Sequence, residues 1–198
     1  MTANSGIDRV EDLKEFPFQT FAAYKKVLLD KQAKASIDKM VAVQWTRNGI
    51  HSSPGLRKRV MLLISLTPLS VIAFVVYVIS VRHWLLFLAL PVLWMVQSML
   101  LLRGNTMLIA LLFAGLAWGV VNQIGWLTAL TLLPLVYWYA NRTVDRQSVA
   151  GLAAALESHE DLLCLIWNMD GLRVTLANGN EYCSNHKIEA GKFVSYEK

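Results

Sequence analysis

The stretch RGNTMLIALLFAGLAWGVVNQIGWLTALTLLPLVYWYANR, from Arg103 to Arg142, decides the fold, because it contains no charge between its two terminal arginines. One helix of these 38 inner residues would be roughly 57 Å long, whereas the hydrocarbon core of a bilayer is only about 30 Å thick. The polar cluster near its middle is NQIG, Asn122–Gly125. The sequence therefore predicts a hairpin of two short helices, Thr106–Val121 and Trp126–Ala140.

Two longer apolar segments precede this stretch, Val60–Val81 and Trp84–Leu102. Each is long enough to cross a bilayer as a helix. Between residues 60 and 140, Arg82 and Arg103 are the only formal charges. The sequence thus predicts a membrane all-α fold, a four-helix transmembrane bundle whose third and fourth segments are short.

The basic residues next to the apolar segments predict the orientation of the chain. Most of them fall before the first segment or after the fourth, at Arg47, Arg57, Lys58, Arg59, Arg142 and Arg146. Cytoplasmic loops carry such an excess of lysine and arginine. We therefore expect a multi-pass protein of the bacterial inner (plasma) membrane with both termini in the cytoplasm.

The regions flanking the bundle are polar and divide into three parts. Residues 1–59 predict a cytoplasmic amphipathic helical arm and linker, with a long helix at about Thr20–Trp45. This arm lies either on the membrane surface or on the rest of its own cytoplasmic domain, and the acidic residues among its lysines favour the second. Residues 60–140 form the bundle. Residues 141–161 predict a helical stalk that continues the fourth segment and buries one stripe, Val144, Ser148, Leu152 and Ala155 or Leu156.

Residues 162–198 predict a small cytoplasmic β domain, an antiparallel meander carried by the stalk. Its strands, which alternate apolar and polar residues, are expected at Leu162–Trp167, Leu172–Leu176, Glu181–Ser184 and Lys192–Tyr196. A sheet of this size is marginal alone, so we expect it to dock on the stalk, on another subunit or on another protein. The expected docking residues are Leu172, Val174, Leu176, Tyr182 and Phe193.

Small and polar residues inside the bundle predict helix packing. Gly115, Gly119 and Gln123 are spaced by four, so they share a helix face on which another helix can approach closely, within one chain or between subunits of a homo-oligomer. The polar residues Gln97, Asn122 and Gln123 either form interhelical hydrogen bonds or line a hydrated pore.

Prolines lie near the middle of three of the four predicted segments. Each proline removes a backbone donor and favours a kink in its helix. Such a kink is either static or a hinge that responds to tension or a ligand. The three residues are Pro68, Pro91 and Pro134.

Histidine and cysteine residues in the C-terminal tail could in principle supply four zinc ligands: His159, Cys164, Cys183 and His186. Their spacing fits no standard zinc motif, so the sequence predicts neither a metal nor a cofactor. Phosphate-binding glycine loops, HExxH and paired catalytic carboxylates are absent from the sequence, and no nucleic-acid-binding module is recognisable. We therefore do not expect an enzyme.

These observations favour a non-enzymatic membrane scaffold or sensor. Its bundle would lie in the lipid bilayer and self-associate, and its cytoplasmic arms would recruit or regulate a cytosolic protein. This architecture would suit the membrane half of a bacterial stress, secretion or phage-defence assembly. The alternative is a small oligomeric channel lined by Gln97 and Gln123.

Overall fold

A computed structural model describes residues 9–13, 15–49, 51–82, 84–91, 95–96, 106–189 and 192–195. The chain is mostly helical in these ranges. Its helices are α1 (Phe21–Leu29), α2 (Lys39–Asn48), α3 (Pro54–Val81), α4 (Thr106–Val121), α5 (Gly125–Leu156) and α6 (Glu160–Asn168). Short 3-10 helices lie at Val10–Asp12 and Trp84–Leu88.

The strands form one antiparallel sheet. They are β1 (Ala33–Ile37), β2 (Leu172–Leu176), β3 (Glu181–Tyr182), β4 (His186–Glu189) and β5 (Lys192–Ser195), and they pair in chain order. In the register of the first pair, Ala33 lies opposite Leu176 and Ile37 opposite Leu172. The sheet therefore joins a strand from the N-terminal third of the chain to strands from its C-terminal end.

The chain forms two compact units. Residues 1–57 and 145–198 form the first, here called the terminal unit, and residues 58–144 form the second, here called the central unit. The boundary at residues 144 and 145 falls inside α5. The two polar regions that flank the apolar segments thus belong to one folded body.

The core of the terminal unit takes side chains from both ends of the chain. Residues before position 57 and residues after position 145 share one hydrophobic cluster, in which the Phe16 ring meets the Trp167 ring edge-on at 4.8 Å between centroids. The N-terminal arm therefore packs on the rest of its own domain, as the sequence favours. The largest fully buried members are Trp167, Tyr24, Leu152, Leu156, Leu162, Leu163, Ile166 and Leu172.

The helix expected to continue the fourth apolar segment is present as far as Leu156, whereas the predicted stalk extends to residue 161. Helix α5 runs without interruption from Gly125 to Leu156. The predicted stripe is buried along it, with Ser148 and Leu152 at 0% exposure.

The predicted helix over Thr20–Trp45 is wrong, because α1, β1 and α2 replace it. Lys31, after α1, has a positive φ of 56°, a conformation that ends a helix. Residues 33–37 then pair with β2, so a tertiary contact overrides the local preference for helix.

The predicted strand over Leu162–Trp167 is also wrong, because these residues lie in α6. A short apolar run fits a buried helix as well as a strand. Glu160 and Asp161 occupy the first turn of this helix, where negative charge is favourable. The strand predicted over Leu172–Leu176 is confirmed, and β3 and β5 lie within the other two predicted strands.

In the central unit, α3 covers the first predicted segment and extends it to Pro54. It packs on α5 through Phe74, Val78 and Leu133. Among the described residues α3 is the one helix long and apolar enough to cross a membrane, while α4 is apolar but has 16 residues. Of the second predicted segment, Trp84–Leu102, the structure describes residues 84–91 and 95–96, which begin with the 3-10 helix Trp84–Leu88, and the rest lies outside the described residues.

Candidate functional site

A surface groove of about 370 Å³ lies in the terminal unit, where the end of β1 and the start of α2 meet the turn before β2. We call it the β1–α2 groove. Its lining residues are Ser36, Ile37, Asp38, Lys39, Met40, Asp170, Gly171 and Arg173.

Asp38 shapes this groove. Its Oδ1 accepts hydrogen bonds from the backbone N–H groups of Met40 at 2.8 Å and Val41 at 3.2 Å, which caps α2. Its own N–H donates to the carbonyl of Gly171 at 2.9 Å. A Cβ at Gly171 would lie 2.8 Å from Val41 Cγ1, so the close approach of these two segments requires glycine.

The groove combines an apolar side chain with charges of both signs. Met40 is 83% exposed, and methionine adapts its shape to different binding partners. Lys39 and Arg173 contribute positive charge, and Asp38 and Asp170 negative charge. Methionine and arginine are enriched in protein–protein interfaces, whereas lysine and aspartate are depleted, so Met40 and Arg173 are the candidate contact residues of this groove.

The docking residues predicted from the sequence occupy different positions. Leu172 and Val174 are 0% exposed in the core, so in this structure they cannot contact a partner, which corrects that part of the prediction. Leu176 and Tyr182 are half-buried against the same core, and the side chain of Phe193 lies outside the described residues. One face of β2 is therefore covered by the core of its own unit.

Sequence reasoning missed Met40 because the helix expected at Thr20–Trp45 placed it on a buried face. The local signal was Asp38, a typical N-cap residue, directly before Lys39. An N-cap at position 38 starts a new helix and moves Met40 into its exposed first turn.

The two glycines of α4 face α5 in the same chain. A Cβ at Gly115 would lie 2.9 Å from Thr131 Cγ2, and one at Gly119 would lie 2.7 Å from Thr128 Oγ1 and 2.9 Å from the Thr128 backbone nitrogen. The close packing expected of this face is therefore present within one chain. A homo-oligomer that packs through Gly115 and Gly119 stays a prediction.

Gln123 lies in the turn between α4 and α5 and lines an open cavity of about 540 Å³ between α3, α4 and α5. The lining is mostly apolar, including Phe74, Leu132 and Leu133. Asn122 Nδ2 donates to the carbonyl of Trp118 at 2.9 Å, which is a local contact. Gln97 lies outside the described residues, so a pore lined by Gln97 and Gln123 stays a prediction.

The prolines lie inside helical segments. Pro68 removes one backbone hydrogen-bond donor from α3, and Pro134 removes one from α5. Pro91 lies in a helical stretch after the 3-10 helix at Trp84–Leu88. Pro134 is buried, whereas Pro68 and Pro91 are exposed. Their role as hinges stays a prediction.

Among the described residues, His159, Cys164 and Cys183 do not form a metal-binding group with one another. Cys164 and Cys183 are both buried, and burial is the main cause that raises the pKa of Cys183. A thiol that resists ionisation is a poor nucleophile and metal ligand. The His159 ring instead stacks on His51 at 4.2 Å between centroids, and the side chain of His186 lies outside the described residues.

Comparison of the chain with protein-family models, with curated proteins and with solved structures finds no match. Its function is therefore argued from its own residues.

Proposed function

We propose that this chain is a non-enzymatic membrane scaffold or sensor whose terminal unit recruits a cytosolic protein at the β1–α2 groove. One observation carries the proposal: the two polar ends of the chain share a core and a sheet, while the residues between them form a separate apolar unit. This division suits a cytoplasmic module tethered to a bilayer.

The pairing of β1 with β2 supports a multi-pass topology. These strands are hydrogen-bonded neighbours, so residues 33–37 and 172–176 must lie on the same side of any membrane. If α3 crosses a bilayer, the residues between α3 and β2 must cross back. The return would come from residues 84–140, whose apolar composition permits it.

The charge distribution supports a cytoplasmic location for the terminal unit. Arg57, Lys58 and Arg59 lie at the start of α3, and Arg142 lies where the apolar part of α5 ends. The positive-inside rule favours a cytoplasmic location for the start of α3 and for the end of the apolar part of α5. A bacterial inner membrane accommodates this arrangement.

Photo-crosslinking can test recruitment. A photoreactive amino acid at Met40 in native membranes should capture one protein, which is then purified and bound to the full chain in detergent. Met40→Asp and Arg173→Glu should each weaken binding at least tenfold, because they remove the apolar contact and reverse a charge. Leu29→Asp is the matched control, since Leu29 is 80% exposed on α1 and does not line the groove.

Equal affinity of wild type, Met40→Asp and Arg173→Glu would contradict recruitment at this groove. Ion conductance of the reconstituted protein under voltage would favour the channel instead. We also propose that the chain self-associates. The mass of the detergent-solubilised complex measures this.

A further inference from the structure

Three side chains with metal-binding atoms meet at the surface of the terminal unit. They are His51, between α2 and α3, and His159 and Asp161, at the start of α6. One ligand atom from each lies within 4.8 Å of the others. Two distant parts of the chain are thus brought together.

We propose that His51, His159 and Asp161 bind one divalent transition-metal ion, with Zn²⁺ as the ion that fits best. Two imidazole nitrogens and one carboxylate oxygen are ligands that zinc prefers. This site is independent of the recruitment proposed for the β1–α2 groove.

The distances suit tetrahedral coordination. His51 Nε2 lies 3.1 Å from Asp161 Oδ2, and two ligand atoms bound to one zinc ion at 2.0–2.1 Å are about 3.3 Å apart. In this structure the pair is a hydrogen bond, and its length is close to one edge of the coordination tetrahedron, so the ion would replace the shared proton. The third ligand atom, on the His159 ring that stacks on His51, lies within 4.8 Å of the other two, so a bound ion would draw it closer.

Exposure leaves room for the ion and for a fourth ligand. The side chain of His51 is 37% exposed and that of Asp161 is 57% exposed, so an ion can enter from solvent and keep a water molecule. Cys164 is buried on the same helix, and neither cysteine belongs to this cluster of the described residues.

The surrounding charge favours a cation. The segment ESHED, Glu157–Asp161, carries three carboxylates in five residues. Glu160 Oε1 accepts a hydrogen bond from the Val10 N–H at 2.9 Å, so this carboxylate holds the N-terminal segment in place. Its negative charge still acts on the neighbouring cluster.

A bound ion would connect the segment before α3 to the segment after α5. His51 lies three residues before Pro54, and His159 three residues after Leu156. Metal that binds the folded chain and not the unfolded chain raises its thermal stability. Zinc is therefore expected to raise the melting temperature of the wild-type protein.

The test is a titration of tag-free full-length protein in detergent with Zn²⁺ against a fluorescent zinc chelator. Wild type should bind one equivalent, and His51→Ala, His159→Ala and Asp161→Asn should each weaken affinity at least tenfold, because each removes a ligand. Asp30→Asn is the matched control, an exposed carboxylate outside the cluster, and should leave affinity unchanged. Circular dichroism confirms folding, and His51→Gln and His159→Gln replace any alanine variant that misfolds.

Cobalt identifies the ligands. Co²⁺ in the wild-type site should give the visible absorption of a four-coordinate ion without a thiolate charge-transfer band. A thiolate band that disappears in Cys183→Ser would overturn the proposal in favour of the cysteines. Failure of wild type to bind Zn²⁺, or unchanged affinity in a His51→Ala/His159→Ala double variant, would overturn it as well.

Discussion

Tyr24 is a buried titratable side chain in the core of the terminal unit. It is 1% exposed and lies among the rings of Phe16, Phe18 and Phe21, with centroids 5.6, 5.7 and 6.4 Å away. Burial, and secondly the negative charge of Glu157, raises the pKa of Tyr24 from 10.0 to about 12. The phenol therefore stays protonated in the folded protein at pH values where an exposed tyrosine ionises.

This pKa shift predicts a loss of stability in alkali. In the unfolded chain Tyr24 loses its proton above pH 10, and in the folded chain only near pH 12. The contribution of the shift to stability is complete below pH 10 and is lost as the pH rises from 10 to 12. Thermal unfolding in detergent should show that wild type loses about 1 kcal/mol relative to Tyr24→Phe between pH 8 and pH 11. A constant difference would contradict the shift.

The buried hydroxyl of Ser148 leads to a second prediction about a single residue. Its side chain is 0% exposed, and its hydroxyl has no hydrogen-bond partner among the described residues. Because an unpaired buried hydroxyl is costly, Ser148→Ala should leave the free energy of unfolding unchanged or raise it by up to about 1 kcal/mol. Leu152→Ala, one turn along the same buried stripe, should lower it by about 2–5 kcal/mol. A clear loss in Ser148→Ala would indicate an internal water bound to the hydroxyl.

At the scale of elements, the packing of α4 on α5 depends on Gly119. An added Cβ would meet the backbone nitrogen of Thr128 at 2.9 Å, and backbone cannot rotate away as a side chain can. Gly119→Ala should therefore separate the helices and lower the free energy of unfolding in detergent by about 1–3 kcal/mol. Gly55→Ala is the control, because nothing lies within 4 Å of a Cβ at that position.

The same variant distinguishes packing within a chain from packing between chains. If Gly119 contacts α5 of its own chain, the loss of stability in Gly119→Ala is independent of protein concentration. A loss that grows on dilution, with a smaller mass of the complex, would instead place the glycine face between subunits.

An element could be predicted where the residues that determine it lie within its own stretch of sequence. The helices α4 and α5 could be predicted because NQIG interrupts an otherwise uncharged stretch, and the stripe of α5 because its apolar residues recur with the helix period. Strand β1 could not be predicted, since AKASI carries no strong strand signal and pairs with β2 far away in the chain. Helix α6 was missed because LLCLIW suits either structure.

The candidate site was less predictable than the fold. The β1–α2 groove requires Asp38 and Gly171 to be hydrogen-bonded neighbours, and they are more than 130 residues apart in sequence. The cluster of His51, His159 and Asp161 was unpredictable for the same reason, because His51 is separated by more than 100 residues from His159. Spacing in the sequence can indicate metal ligands that lie in the same segment of the chain. In both of these sites the residues come from two segments that are far apart in the sequence.

At the scale of the whole molecule, the shared sheet predicts the location of both termini. Reporter domains fused before Met1 and after Lys198 should both be found in the cytoplasm. Ser36 and Arg173 lie directly opposite in the sheet, so Ser36→Cys and Arg173→Cys combined in one chain should form a disulfide in oxidised membranes. Ser36→Cys with Asn178→Cys, in the turn after β2, is the control. Reporters on opposite sides would contradict the paired strands.

The pairing of β1 with β2 also determines when the protein can finish folding. Leu172, the partner of Ile37, is synthesised about 135 residues later. At roughly 5–20 residues per second, the ribosome needs on the order of ten seconds or more to reach it. During this interval the apolar side chains of the N-terminal segments have no sheet and no α6 to cover them. The nascent chain is thus expected to depend on chaperones until its last residues emerge, and premature termination would release a chain with an exposed, unpaired strand.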